Sequence, residues 1–173
     1  MKVAGVLAAL GVALLLQTTL AGLTMRGAAL VNLVLIAVVY VALAHGAVTG
    51  LLAGAAGGIV QDALAGGVVG VGGLTKTIVG FFVGVLGAHF IVSQPLPRFV
   101  MFVAATVVHE LCFQVFSAVV ESRAVTFHLS TVLTQAAING AIGILAFQVV
   151  EGAPGLMQRR QTRRASDMSR RRF

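Results

Sequence analysis

Charge is the scarcest feature of this sequence. Only 10% of its 173 residues are charged, and five are acidic, too few to cover a water-facing surface. Cysteine occurs once, at Cys112, which excludes a disulfide framework and a cysteine-based metal cluster. Within an apolar run that thiol reads as a small buried hydrophobe. Three prolines beside 21 glycines suit packed helices better than a disordered or fibrous chain. Catalytic patterns are missing as well. The chain has no His-x-x-x-His or Glu-x-x-His spacing, no phosphate-cradling loop and no pair of carboxylates within one apolar span. It is therefore not expected to be an enzyme, and no metal or cofactor is implied.

What is present is apolar sequence in long runs. Hydrophobic residues make up 58% of the chain and the mean hydropathy is +1.02. Six stretches, at about 3–23, 28–44, 47–65, 73–92, 99–120 and 127–150, each approach the roughly 20 residues that cross a hydrocarbon core. The breaks between them are short, among them TMRG, HG, SQPLPR and ESRAVT, so no soluble domain lies between spans. The expected fold is all-α: a polytopic membrane bundle of six transmembrane helices over residues 1–152, followed by a basic tail at 153–173. The first run is longer than the apolar core of a signal peptide and reads as an uncleaved helix.

The formal charge of +7 resembles a nucleic-acid signal until it is located. Seven of the twelve basic residues are arginines in the last fifteen positions, so no nucleic-acid partner is expected. With six spans, Lys2, Arg98 and those seven arginines share one side, nine against Arg26 and Arg123 on the other. The positive-inside rule then puts both termini in the cytoplasm; five spans, with Lys2 outside, is the alternative. The tail suits a topology anchor, and also a contact with anionic lipids or an acidic cytoplasmic partner.

Polar groups inside the spans carry the sharper expectations, because a charge at mid-bilayer costs at least roughly 2.5–3.5 kcal/mol and so normally faces the bundle with a partner. Asp62 and Lys76 flank the glycine-rich break between the third and fourth stretches at similar depth. They are expected to pair, with Gln61 adding hydrogen bonds. Glu110 lies mid-way along the fifth stretch with Gln114 one turn on. His109 adjoins it but points roughly 100° away, so the two need not touch. The sixth stretch carries His128, Thr131, Gln135 and Asn139 at helical spacing. Glu110 could meet Asn139 or Gln135, and the stripe could be interior glue, a partner face or the wall of a cavity. Gly46, Gly50 and Gly54 on one span, with Gly80 and Gly84 on the next, give small-xxx-small faces for close helix packing.

Residues 31 to 84 resemble the rod shape-determining MreD family. Asn32–Leu33 fit the Pro-Asp-Leu or Pro-Asn-Leu that opens its second span, with Val31 where proline stands. His45–Gly46 match a basic-Gly turn, Gln61–Asp62 the end of a glycine-rich span, and Gly70 a downstream glycine. Lys76, Thr77 and Gly80 match a Lys-Thr-x-x-Gly run. The resemblance implies a non-enzymatic scaffold of the bacterial elongation machinery in the cytoplasmic (inner) membrane. Its implied partners are MreC, RodA with its class B penicillin-binding transpeptidase, and the MreB filament. It also implies a fold similar in outline to the S components of energy-coupling factor transporters. Such an S component, which would hold a small ligand in an outward-facing polar pocket, is the rival reading, whereas a scaffold should have that volume filled. A proton- or ion-conducting unit built on Asp62, Glu110 and His109 is a third.

Overall fold

The computed structural model describes residues 2–23, 30–66, 68–90, 94–122, 124–125 and 128–170, with backbone alone for residues 2, 21–23 and 151–170. Arg26, Arg123 and the side chains of the basic tail thus lie outside the described residues. Those described form helices and no strand: α1 (Lys2–Leu23), α2 (Leu33–His45), α3 (Ala47–Ala65), α4 (Val71–His89), α5 (Pro95–Val120) and α6 (Leu129–Arg170). The six-helix, all-α architecture matches the expectation, and the 153–170 backbone continues α6 as helix. Pro95 opens α5 at a first-turn position, where its missing N–H costs nothing.

One span is less helical than expected. Among the described residues five helices are long and apolar enough to cross a membrane as helix alone, and α2 is shorter. Its 13 residues rise only about 20 Å at 1.5 Å per residue, short of a hydrocarbon core of roughly 30 Å. Of the apolar run expected at 28–44, α2 takes up the part from Leu33 on, where Asn32 is its N-cap. The Asn32 carboxamide accepts the Leu35 N–H at 3.0 Å, which caps the helix start and satisfies one of the amides that a first turn leaves unpaired.

Short as it is, α2 is the axis of the bundle. It packs against all five other helices, and Val34, Val38 and Val39 on it are fully buried. One face joins Leu35, Ile36, Val39 and Ala42 to Val79 and Val83 of α4, Phe102 of α5 and Phe147 of α6. The opposite face joins Val38 and Val41 to Leu10 of α1 and Ala53 of α3. Lipid tails are as apolar as these side chains, so close packing rather than transfer from water holds the faces together.

The tightest contact is the α3–α4 hairpin. Gly58 faces Gly73, Gly54 faces the backbone of Lys76 and Thr77, Gly50 faces Gly80, and Gly84 faces Ala47. A Cβ on Gly58 would come within 2.5 Å of the Gly73 Cα. Gly50, Gly54, Gly80 and Gly84 thus form an antiparallel ladder of backbone on backbone. Gly46 does not belong to it. Nothing lies within 4 Å of where its Cβ would be, and its φ is +88°. It is the turn that lets α3 begin one residue after α2 ends, a backbone conformation open to glycine.

α1 is the least embedded helix, touching α2 and α3 but, among the described residues, not α6. Between α1 and α6, over α2, runs an apolar groove of about 520 Å³.

Candidate functional site

The polar residues of the spans converge in the half of the bundle that carries the α3–α4 turn, away from Lys2 and Arg98. The irregular backbone just before α2 requires the first of them. Non-helical backbone at membrane depth must find partners inside the protein. Gln17 of α1 supplies two: its Nε2 donates to the Val31 carbonyl at 3.0 Å and its Oε1 accepts the Leu33 N–H at 2.7 Å. Asn139 of α6 supplies the third, its Oδ1 accepting the Asn32 N–H at 3.1 Å. The Asn139 Nδ2 reaches Thr106 Oγ1 of α5 at 3.5 Å. Two separate helices, α1 and α6, therefore hold the entry of α2, and α5 braces Asn139 from behind. Asn139, fully buried, serves this backbone and does not meet Glu110.

Asp62 sits at the mouth of the hairpin. Its Oδ2 accepts the N–H groups of Gly70 at 2.9 Å and Gly73 at 3.1 Å. A carboxylate there satisfies the unpaired amides of the α4 N-terminus and complements its dipole. Gly72 leaves room for it, since a Cβ at that position would collide with Asp62 Oδ1. Gly70, with φ of +107°, is the N-cap of α4 and turns its amide to the carboxylate.

The expected Asp62–Lys76 ion pair is not formed. Among the described residues no carboxylate comes within ion-pair distance of the Lys76 ammonium, although both side chains line one pocket and Asp62 acts on Lys76 electrostatically across it. The reason is geometric: Asp62 is held at the helix start by two backbone amides, while Lys76 projects from the second turn of α4. Gln61 does not bridge them, because its Oε1 is buried without a hydrogen-bond partner.

On the facing side, Glu110 Oε1 accepts from Gln135 Nε2 of α6 at 2.8 Å, one of the two contacts left open by the sequence. It also meets His109 Nδ1 at 3.1 Å, so these neighbours do touch despite their angular separation. His109 Nε2 is buried and without a partner. Gln114 lies outside this group, its Oε1 likewise buried and unpartnered. His128 is exposed just before α6 begins and joins no cluster.

These groups enclose a pocket of about 270 Å³ lined by side chains of α1, α3, α4, α5 and α6 and by the entry to α2. The volume expected to be filled in a scaffold is open. Its wall brings together Asn32, Gln61, Asp62, Lys76, Glu110 and Gln135, which the sequence singled out, and adds Gln17 and His109. Among the described residues no cluster of three His, Cys, Asp or Glu is arranged to hold a metal ion. Sequence reasoning missed Gln17, Thr106 and Gly72. Gln17 alone had a usable signal, as a polar residue inside an apolar run.

Comparison with known proteins gives one match. A family model described as rod shape-determining protein MreD fits residues 3–151, which cover every described helix except Lys2 and the far end of α6. No curated protein matches the chain, and no solved structure does. The rival reading as a transporter S component gains no support from them.

Proposed function

Because the chain belongs to the MreD family, and so is a multi-pass membrane protein with a role in rod shape determination, we propose that it works as a non-enzymatic scaffold of the cell-elongation machinery. It helps couple MreC and the cytoplasmic MreB filament to peptidoglycan synthesis by RodA and its class B penicillin-binding transpeptidase. The family match carries this reading, and two physical features support it. The helices are joined by short connections, so a partner must be met through helix flanks, short turns or the basic end. α1 also offers a long flank: only 11% of its apolar window is buried. The bundle lies in the cytoplasmic membrane in six passes, the second made by α2 together with the 30–32 segment that leads into it, with both termini inside, where the arginine-rich segment meets anionic lipids. Co-purification from mild detergent tests the reading. Recovery of an MreC-like protein together with the transpeptidase–RodA pair is expected, and loss of rod shape is expected on depletion. Recovery of a nucleotide-binding ATPase pair with a coupling subunit instead would overturn it.

A further inference from the structure

The polar pocket has an imbalance that the protein does not resolve internally. Lys76 is 2% exposed, yet no described side chain pairs with its ammonium. Asp62 and Glu110 act on the ammonium across the pocket without closing on it, and a charge at this depth is costly without a close acceptor. Each of those carboxylates has one oxygen held by other donors: Asp62 by two backbone amides, Glu110 by Gln135 and His109. Acceptors are unanswered too, since Gln61 Oε1 is buried without a donor.

The charge on the wall narrows what could fill such a space. A simple anion would satisfy Lys76 but face the carboxylates of Asp62 and Glu110. A simple cation would suit those carboxylates but leave Lys76 unanswered beside a second positive charge. A molecule carrying an anionic group and an ammonium a few bonds apart answers both. We propose that the pocket binds a small zwitterion of the phosphoethanolamine class, its anionic oxygens at Lys76 and its ammonium toward Glu110 and the Gln61 carbonyl. The same chemistry is available from a phosphatidylethanolamine headgroup, since the pocket is cut into membrane-spanning helices, and from a soluble zwitterion. At about 270 Å³ the space equals roughly nine water molecules at 30 Å³ each, enough for such a headgroup. This inference does not rest on the scaffold role.

The test uses the full chain in nanodiscs of phosphatidylglycerol, which has no amine, with thermal unfolding as readout. O-phosphoethanolamine is expected to raise the midpoint saturably, while phosphate alone and ethanolamine alone do not reproduce the effect. Lys76→Met and Gln61→Leu should each weaken the probe's binding by about tenfold or more, the scale of a lost hydrogen bond to a charged group. Should Lys76→Met fail to fold, Gln61→Leu carries the comparison. Native mass spectrometry from mixed phosphatidylethanolamine–phosphatidylglycerol discs then separates the sources. One retained phosphatidylethanolamine, lost in the variants, identifies the lipid; probe binding without retained lipid identifies a soluble ligand. The proposal is overturned by any of three results: phosphate acting as well as phosphoethanolamine, variants responding like the parent, or neither probe binding nor retained lipid, which would mean a pocket holding only water.

Discussion

One oxygen of Asp62 receives two backbone N–H groups, while one carboxamide of Asn139 ties α2 to α5 and α6. Each is a side chain whose removal leaves main-chain donors unpaired where water is scarce. Asp62→Ala should destabilise the bundle by about 1–3 kcal/mol, read from reversible unfolding in detergent. Asp62→Asn, which keeps a neutral acceptor, should lose less, and equal losses would argue against the capping role. Asn139→Leu should cost about 1–2 kcal/mol and Thr106→Val clearly less, because the Thr106 contact is long at 3.5 Å. At this scale the sequence was only partly legible. That Asp62, Glu110 and Asn139 would have polar partners followed from their depth. Which partners they chose did not follow. Asp62 prefers the amides of the next helix's start, at Gly70 and Gly73, a geometry that depends on how the glycine turn closes. Asn139 meets a backbone N–H, which has no signature in a side-chain pattern.

Among the elements, the α3–α4 hairpin is the one most constrained by residue size. A side chain on Gly58 has nowhere to go except into the Gly73 backbone, so Gly58→Leu should separate the helices and cost about 1–3 kcal/mol or more by overpacking. Gly5→Leu on α1, where nothing lies within 4 Å, should leave stability nearly unchanged, with both variants compared by thermal unfolding in the same detergent. The ladder was legible because a four-residue glycine spacing needs only the helical period to be read. The shortness of α2 was hidden for the opposite reason. Apolar composition continues upstream of Asn32 whether or not the backbone is helical, and Gln17, which supports the non-helical part, lies on another element.

For the molecule as a whole, the distribution of basic residues predicts its orientation. In a Cys112→Ala background, Val69→Cys in the α3–α4 turn and Ser169→Cys in the basic segment should label from opposite faces of the membrane with an impermeant maleimide, the latter only from the cytoplasm. Labelling of both from one side would refute the topology. Replacing the seven tail arginines with glutamine should leave the thermal midpoint unchanged and sharply reduce the binding of the protein, held in neutral-lipid nanodiscs, to anionic vesicles, at on the order of 1 kcal/mol of attraction per residue near the surface. The helical membrane class was readable from composition alone, and residues 31–84 carried the family. The open pocket was not readable, since whether facing polar groups touch or stand apart is set by helix placement rather than by residue type.

The bond between the Asn32 amide and Asn139 spans 107 positions, and this separation has a consequence for biogenesis. A nascent chain that has delivered α2 to the insertion machinery still lacks the group that completes its entry. The ribosome must finish the last helix before the second can be sealed. Until then the short segment is a natural handle for membrane chaperones and quality-control proteases. Truncated products ending before residue 129 should therefore be cleared rapidly in pulse-chase experiments, while those reaching residue 151 should persist.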